Sequence, residues 1–225
     1  MSAGFRICLR RRSVSGAVIG KFRALPVANV SDVLMRMASA GASVRPLHRE
    51  GGMAGAAVTV KTRPGDNLMV HKALDIAGPG DVVVVDAGGD LTNALIGELM
   101  LAHAVSRGIS GIVINGAVRD IVAIREGTFP VFALGVTHRG PYKDGPGEIN
   151  VPVALGGMVI EPGDLVLGDA DGVIAVPFAE TETVYAKALA KHQAETAQMA
   201  RIQNGGQDRS WVDETLRRLG CEVES

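Results

Sequence analysis

Aromatic residues and excess charge are both scarce in this chain. It has 5 Phe, 2 Tyr and 1 Trp among 225 residues, which leaves little surface on which unpaired bases could stack. It has 23 basic against 24 acidic residues and a formal net charge of −1. Proteins that bind nucleic acid through general phosphate attraction are normally basic. Composition and charge therefore predict no nucleic-acid partner.

Long apolar runs and cysteines are also missing. No segment approaches the ~18 consecutive apolar residues of a membrane-spanning helix, so we expect no membrane association. The two cysteines, Cys8 and Cys221, lie near opposite ends of the chain. This argues against a disulfide framework and against a thiolate zinc site, which needs about four ligands. We therefore expect a protein of the reduced cytoplasm.

Glycine, in contrast, is abundant. The chain has 29 glycines, nearly double the usage of about 7% in average proteins. Several of them lie in a Pro-Gly-Asp tripeptide that occurs at 64–66, 79–81 and 162–164, a composition typical of tight turns. The unequal spacing excludes a repeat architecture. These tripeptides are predicted to separate strands.

The central third of the sequence predicts parallel strand–helix–strand units. Apolar strands are expected at 82–86, 111–115 and 131–134, with helices between them. Strands that are apolar on both faces are typical of a parallel sheet covered by helices. Short, closely spaced strands between 151 and 176 predict a mixed β layer, and a long helix is expected from 178 to about 203. We therefore predict an α/β fold.

Three segments are expected along the chain. Residues 1–24 are predicted to form a basic, partly frayed leader, and 25–205 a single domain. Residues 206–225 are predicted to form a C-terminal tail with a short helix.

The first candidate site segment is Gly97-Glu98-Leu99-Met100. A helix is predicted to begin here, because Gly97 can cap it and Glu98 complements the positive end of the helix dipole. The free N–H groups of Leu99 and Met100 would then point into the crevice at the carboxyl ends of the strands. Such a helix terminus binds carboxylate or phosphate.

The second segment is Asn115-Gly-Ala-Val-Arg-Asp120, directly after a buried strand. Arg119 offers a planar fork suited to a carboxylate or enolate oxygen, and Asp120 offers a hard oxygen ligand. One carboxylate, with help from Glu98, suits Mg²⁺ or Mn²⁺ better than Zn²⁺ or Ca²⁺. The topology predicts that both segments meet at one sheet edge.

These two segments resemble the 4-hydroxy-4-methyl-2-oxoglutarate aldolases, which share a superfamily with the regulators of ribonuclease E activity (the RraA-like fold). The resemblance covers about residues 25–205. It continues through the segments 30–32, 65–67, 150–153, 156–157, 162–164 and 168–173.

The resemblance implies a single domain of the swivelling β/β/α type, assembled as a homotrimer or as a hexamer, with sites at subunit interfaces. It further implies a divalent-metal (class II) lyase that releases pyruvate from 4-hydroxy-2-keto acids and often decarboxylates oxaloacetate.

Particular roles also follow from the resemblance. The amides around Leu99 and Met100 would hold the pyruvoyl carboxylate, and Arg119 would contact the carbonyl or enolate oxygen. Asp120 would hold the metal, with Glu98 beside its water shell. A glutamate from the C-terminal helix of a neighbouring subunit is expected to complete the site, and Glu195 is the best match.

The sequence alone leaves other functions open. A Schiff-base aldolase would need a desolvated lysine, for which Lys61 is the candidate. A protein-binding regulator of a ribonuclease would share the fold and the Arg-Asp loop, although Glu98 favours catalysis. A lyase that acts on a different keto acid would have the same sequence pattern in the two site segments. The acceptor half of the substrate is expected to contact residues 137–147 or another chain.

Overall fold

The computed structural model describes residues 4–222. Its strands are β1 (Phe5–Ile7), β2 (Arg45–Pro46), β3 (Met53–Thr62), β4 (Asp81–Asp86), β5 (Ala94–Ile96), β6 (Gly111–Val118), β7 (Val131–Val136), β8 (Gly147–Ile149), β9 (Val153–Leu155), β10 (Met158–Ile160), β11 (Leu165–Asp169) and β12 (Gly172–Val176). Its α-helices are α1 (Gly16–Phe22), α2 (Val27–Val33), α3 (Leu68–Ile76), α4 (Glu98–Ser106), α5 (Ile121–Glu126), α6 (Thr181–Gln203) and α7 (Ser210–Arg218). The chain forms two compact units, the first ending at Ala188 and the second beginning at Leu189.

A mixed sheet organises the first unit. Seven of its strands are hydrogen-bonded side by side in the order β1-β8-β3-β4-β6-β7-β2. Strand β5 is outside this order and pairs with β6. The adjacent strands β3, β4, β6 and β7 are parallel, which confirms the predicted strand–helix–strand units. Strand β11 pairs antiparallel with β3 and β12. The late strands therefore partly extend the same sheet.

The two faces of this sheet are covered differently. In β4, alternate residues point to opposite faces, as the period of a strand requires. Val83 and Val85 join the apolar cluster that includes residues of α3, α4 and α5. Val82 and Val84 join the cluster formed with the β9–β10 hairpin. A helix layer, a sheet and a second β layer result, which confirms the predicted fold class.

The basic N-terminal segment is part of the fold. Strand β1 pairs in parallel with β8, and Arg10 donates two hydrogen bonds to the carboxylate of Asp81, at 2.7 and 2.9 Å. Arg12 contacts the buried Asp164 at 3.4 Å. Both aspartates end Pro-Gly-Asp turns. The expectation of a partly frayed leader is therefore wrong for the described residues from Gly4 onward.

The second unit contains the end of α6 and all of α7. Helix α7 carries Trp211 and Leu216 as exposed apolar side chains, and it follows a turn at Asn204 and Gly205. Over residues 4–222, no helix is long and apolar enough to cross a membrane.

Candidate active site

The two predicted site segments meet at the carboxyl end of the parallel strands. Strand β4 ends at Asp86. The Asp86 carboxylate accepts hydrogen bonds from Asn115 Nδ2 at 2.8 Å and from the Gly88 amide at 3.0 Å. These bonds join the loop after β4 to strand β6. The same edge carries the start of α4 and the Arg119-Asp120 pair.

Asp120 lies against the N-terminus of α4. Its Oδ2 accepts a hydrogen bond from the backbone amide of Glu98 at 2.9 Å. The residue adopts a left-handed backbone conformation, with φ of 59°, which aspartate tolerates better than most residues. This conformation turns the chain sharply after β6 and directs the carboxylate to the helix start predicted at Gly97 and Glu98.

Arg119 is fixed at its backbone and half-exposed at its side chain. Its amide donates to the carbonyl of Ile96 at 3.0 Å, and its Nε lies 3.8 Å from Asp120 Oδ2. The guanidinium of Arg119 therefore lies beside the Asp120 carboxylate but does not form a close bidentate ion pair with it. The N–H donors of the guanidinium stay available to a ligand oxygen.

Gly97 is required because Arg119 and Asp120 approach its backbone closely. A Cβ on Gly97 would collide with Asp120 Oδ2 and lie only 3.0 Å from Arg119 Cγ. Any other residue here would displace both side chains from the start of α4. The glycine is thus explained by a close approach and not by an unusual φ.

We expect Gly97→Ala to lower kcat/KM by about 100-fold, since misplacing reacting groups by about 1 Å has a cost of that order. The melting temperature should fall by only about 2–4 °C, because Asp120 can move outward at the cost of its bond to the Glu98 amide, a helix cap worth about 1 kcal/mol. Gly80→Ala, at a turn remote from the site, is a control for loss of stability alone. Activity of Gly97→Ala close to that of the original chain would show that the close approach is not needed.

The two amides predicted to be free at the start of α4 differ in the structure. Met100 N–H donates to the carbonyl of Gly97 at 3.1 Å within the first helical turn, so the expectation of a free Met100 amide is wrong. For the Leu99 N–H we find no acceptor among residues 4–222. Leu99 and Met100 both line the cavity described below, and the binding of an anion by the Leu99 amide stays a prediction.

A cavity of about 150 Å³ opens between these elements. Its walls include every predicted site residue of the two loops except Glu98, together with six residues that were not predicted individually. The lining residues are Asn67, His71, Leu95, Ile96, Gly97, Leu99, Met100, Arg119, Asp120, Pro141 and Lys143. Pro141 and Lys143 belong to the segment 137–147, which was expected to contact the acceptor half of the substrate.

Asn67 and His71 also line the cavity. Asn67 Nδ2 donates to the carbonyl of Leu95 at 2.8 Å, while its buried Oδ1 has no partner within the described part of the chain. Burial lowers the pKa of His71 from its ordinary value, and the positive charge of Lys143 lowers it further. Both effects favour the neutral imidazole. Asn67 ends the segment 65–67, which belongs to the family resemblance but was given no role. His71 belongs to no recognisable motif, and the preceding Pro-Gly-Asp turn was the available signal.

The acidic residues at this edge fit one kind of metal ion. Among the described residues, no three His, Cys, Asp or Glu side chains are grouped as a ligand set for a metal ion. Asp120 and Glu98 present two exposed carboxylates at the helix start. Mg²⁺ and Mn²⁺ accept such a sparse set, since they retain several waters and bind substrate oxygens.

Two other predicted residues do not line the cavity. Lys61 is exposed on β3, where it gains none of the burial that would make it a Schiff-base nucleophile. Glu195 belongs to the second unit, where its carboxylate lies 2.7 Å from Lys191 Nζ. Its role toward a neighbouring subunit stays a prediction.

A larger cavity of about 630 Å³ lies at the opposite, amino end of the parallel strands, beside Met53, Ser110 and Pro130. It contains none of the predicted site residues. We assign the candidate site to the smaller cavity, because ligands of parallel sheets bind at the carboxyl ends of the strands.

The sequence and the fold have counterparts in known proteins. The RraA-like family model (Aldolase/RraA) matches residues 27–175, which include the whole cavity wall. The chain belongs to the RraA-like family. A relative from Halalkalibacterium halodurans is 43% identical over 80% of this chain and 85% of its own length, and bears the provisional name 4-hydroxy-4-methyl-2-oxoglutarate aldolase.

Two matches from Thermus thermophilus, one to a sequence and one to a solved structure, have different descriptions. One, named 4-hydroxy-4-methyl-2-oxoglutarate aldolase, is 39% identical over 50% of this chain and 68% of its own length. A solved structure, described as the RNA-processing inhibitor RraA, has a TM-score of 0.63 and 32% identity, covering 68% of this chain and 92% of that chain. The RraA-like family thus includes proteins named for catalysis and for regulation.

Proposed function

We propose that this RraA-like chain is a lyase that cleaves 4-hydroxy-2-keto acids, such as 4-hydroxy-4-methyl-2-oxoglutarate, to release pyruvate. The observation that carries the proposal is the convergence of the Leu99 amide, the Arg119 guanidinium and the Asp120 carboxylate on one cavity. In that order, these groups are suited to bind a carboxylate, to stabilise a developing oxyanion and to hold a cation. The names of the relatives support the same reaction.

The Leu99 amide, at the positive end of α4, would accept the substrate C1 carboxylate. This places the 2-oxo oxygen toward the guanidinium of Arg119. When the C3–C4 bond breaks, its electron pair moves into the C2 carbonyl and creates an enolate. Arg119 stabilises the negative charge that develops on this oxygen.

The reaction also moves two protons. The 4-hydroxyl must lose its proton as C4 becomes a carbonyl carbon, and Glu98, or a water bound to it, is the proposed base. Protonation of the enolate at C3 then gives pyruvate. With 4-hydroxy-4-methyl-2-oxoglutarate, the other half of the substrate is also released as pyruvate.

A divalent cation, Mg²⁺ or Mn²⁺, held by Asp120 and near Glu98, would supply Lewis acidity to the 2-keto acid. Oxaloacetate contains the same 2-keto acid half, and loss of CO₂ from C3 would create the same enolate. We therefore propose oxaloacetate decarboxylation as a second activity of this cavity.

We further propose that the site is completed by a neighbouring subunit, in a homotrimer or a hexamer in the cytoplasm. Leu99 and Val122, on the two helices that begin at the site, are 85% and 66% exposed. Large apolar side chains beside a polar site are typical of surfaces that another chain covers. Glu195 of the neighbouring copy is the residue proposed to reach this surface.

A coupled pyruvate-release assay tests the proposal. Purified protein is supplied with several 4-hydroxy-2-keto acids and with oxaloacetate, with Mg²⁺ or with EDTA. We expect turnover that requires the metal. If no pyruvate were released from any of these substrates, the result would instead favour a protein-binding regulator of a ribonuclease. Borohydride trapping of pyruvate on Lys61 would favour a Schiff-base enzyme.

A further inference from the structure

The Arg119 side chain is placed by close contacts with two glycines. A Cβ on Gly97 would lie 3.0 Å from Cγ and 3.2 Å from Nε of Arg119, and a Cβ on Gly140 would lie 3.1 Å from Nη1. Ordinary contacts between heavy atoms are about 3.5–4.0 Å, so a side chain at either glycine would require the arginine to move. The nearest approach of Asp120 to Nε is 3.8 Å. Packing, more than an ion pair, therefore sets the position of the guanidinium.

The backbone of Gly140 is held by a buried asparagine. Asn93 Nδ2 donates a hydrogen bond to the carbonyl of Gly140 at 2.5 Å. The next residue, Ala94, donates its backbone amide to the carbonyl of Arg139 at 2.8 Å. Two successive carbonyls are thus bound by two successive residues. These bonds fix both the position and the direction of the chain that passes the guanidinium.

Asn93 is itself packed against a turn. A Cβ on Gly65 would lie 3.3 Å from both Cβ and Oδ1 of Asn93, so the backbone of Gly65 lies directly on the amide side chain. The carbonyl of Gly65 also accepts a hydrogen bond from the Tyr142 amide at 2.8 Å. The Pro-Gly-Asp turn at 64–66 therefore supports Asn93 as well as the chain that follows Gly140.

Strand β5 connects the two ends of Arg119. The carbonyl of Ile96, the last residue of β5, accepts from the Arg119 amide at 3.0 Å. Asn93 immediately precedes β5 and holds Gly140 near the guanidinium. One short strand thus determines where the arginine leaves the backbone and also where its guanidinium lies.

The proposed cleavage chemistry depends on such placement. Arg119 is the proposed donor to the oxygen on which negative charge develops, and a donor is effective there when it is in position before the charge forms. Asn93 is not among the residues that line the cavity. An effect of Asn93 on turnover therefore has to pass through Gly140 and Arg119.

We propose that Asn93 is a positioning residue: through Gly140, it holds the guanidinium of Arg119 in the orientation that stabilises the enolate oxygen. This inference rests on the proposed function, because that function gives Arg119 its role.

Steady-state kinetics of pyruvate release with Mg²⁺ is the first test. Asn93→Ala should lower kcat by about 10-fold, less than the roughly 100-fold cost of a 1 Å misplacement, because Gly140 keeps its other supports. KM should stay within about twofold, since an interaction made in the transition state alone is lost from kcat. Thr59→Val removes another buried hydrogen bond to a carbonyl, that of Val151, away from the cavity. It is the matched control and should retain kcat.

A second variant approaches Arg119 from the backbone, and it keeps the test decisive if Asn93→Ala folds poorly. Gly140 is half-buried and has no positive φ, so Gly140→Ala should fold normally while its methyl group displaces Nη1. We expect the same loss of kcat, about 10-fold. Gly20→Ala, where a Cβ meets no atom within 4 Å, is the control.

A double-mutant cycle separates positioning from general stability. In an Arg119→Ala chain, the further change Asn93→Ala should alter kcat by less than about twofold, because the group that Asn93 positions is absent. If Asn93→Ala instead lowered kcat about 10-fold in both backgrounds, its effect would not pass through Arg119, and the proposal would be overturned.

Equilibrium binding provides a test without turnover. Oxalate has a charged oxygen where the enolate of pyruvate has one, so it resembles the transition state more than pyruvate does. Calorimetric titration with Mg²⁺ should show oxalate binding about tenfold more weakly to Asn93→Ala than to the original chain, with pyruvate binding within about twofold. Equal losses for the two ligands, or no loss for either, would contradict the positioning role.

The outcomes distinguish this inference from the proposed function. Normal pyruvate release by Asn93→Ala and Gly140→Ala would overturn the role of Asn93 and leave the proposed function in place. An original chain that releases no pyruvate from any substrate, but whose binding of oxalate selectively depends on Asn93, would overturn the proposed function and support the positioning of Arg119.

Discussion

Replacing Arg119 with lysine is expected to reduce kcat for pyruvate release by about 100- to 1,000-fold, the usual effect of removing one preorganised oxyanion donor. Lysine keeps the charge but has a single, shorter donor group and no planar fork. The Arg119 backbone is held by the carbonyl of Ile96, so the chain cannot shift to compensate. Steady-state kinetics on 4-hydroxy-4-methyl-2-oxoglutarate measures the change.

Folding effects should be small in this variant. The Arg119 side chain is 44% exposed and lies 3.8 Å from Asp120, and exposed ion pairs contribute about 0–1 kcal/mol. Arg125→Lys, on the exposed face of α5, is the matched control and should retain its activity. If Arg119→Lys kept activity within threefold of the original chain, the guanidinium would have no role at the enolate oxygen.

The convergence of the two loops could be predicted because it follows from local pattern and topology. Apolar strands on both sides of a helix predict a parallel sheet, and parallel strands bring their carboxyl ends to one edge. Gly97 followed by Glu98 predicted the start of α4 to the residue. The proximity of Arg119 and Asp120 to that helix start then required no information beyond strand order.

The other wall of the cavity could not be predicted in this way. Asn67 and His71 precede the central strands, and Lys143 comes after them. Their meeting depends on Asp66, whose bonds to the amides of Asp144 and Gly145 join positions nearly 80 residues apart. No periodicity in the sequence reports such a contact.

Two local expectations failed for physical reasons of the same kind. The pairing of β1 with β8 joins segments about 140 residues apart in sequence, so a short basic segment gave no sign that it enters a sheet. The Met100 amide is taken by the carbonyl of Gly97 because the first turn of α4 tightens. Tight first turns are common at helix ends, and side-chain pattern does not report them.

Asp120 should be the most sensitive position of the site, since its carboxylate accepts from the Glu98 amide at 2.9 Å and is the proposed cation ligand. Asp120→Asn separates these roles. Asparagine tolerates the left-handed backbone at φ 59° about as well as aspartate, and its amide oxygen can still accept from Glu98. We therefore expect unchanged folding, but a loss of turnover of about 1,000-fold or more, because a metal ligand loses its charge.

Asp120→Ala removes both roles. It should lose as much turnover and also about 1 kcal/mol of unfolding free energy, the usual worth of a helix cap. Binding of Mn²⁺, followed by electron paramagnetic resonance, should weaken in both variants. Asp90→Asn, on the first loop but outside the cavity wall, is the control and should bind Mn²⁺ normally. Full turnover of Asp120→Ala in the presence of EDTA would contradict the metal mechanism, and Arg119 would then be the only positive group at the enolate.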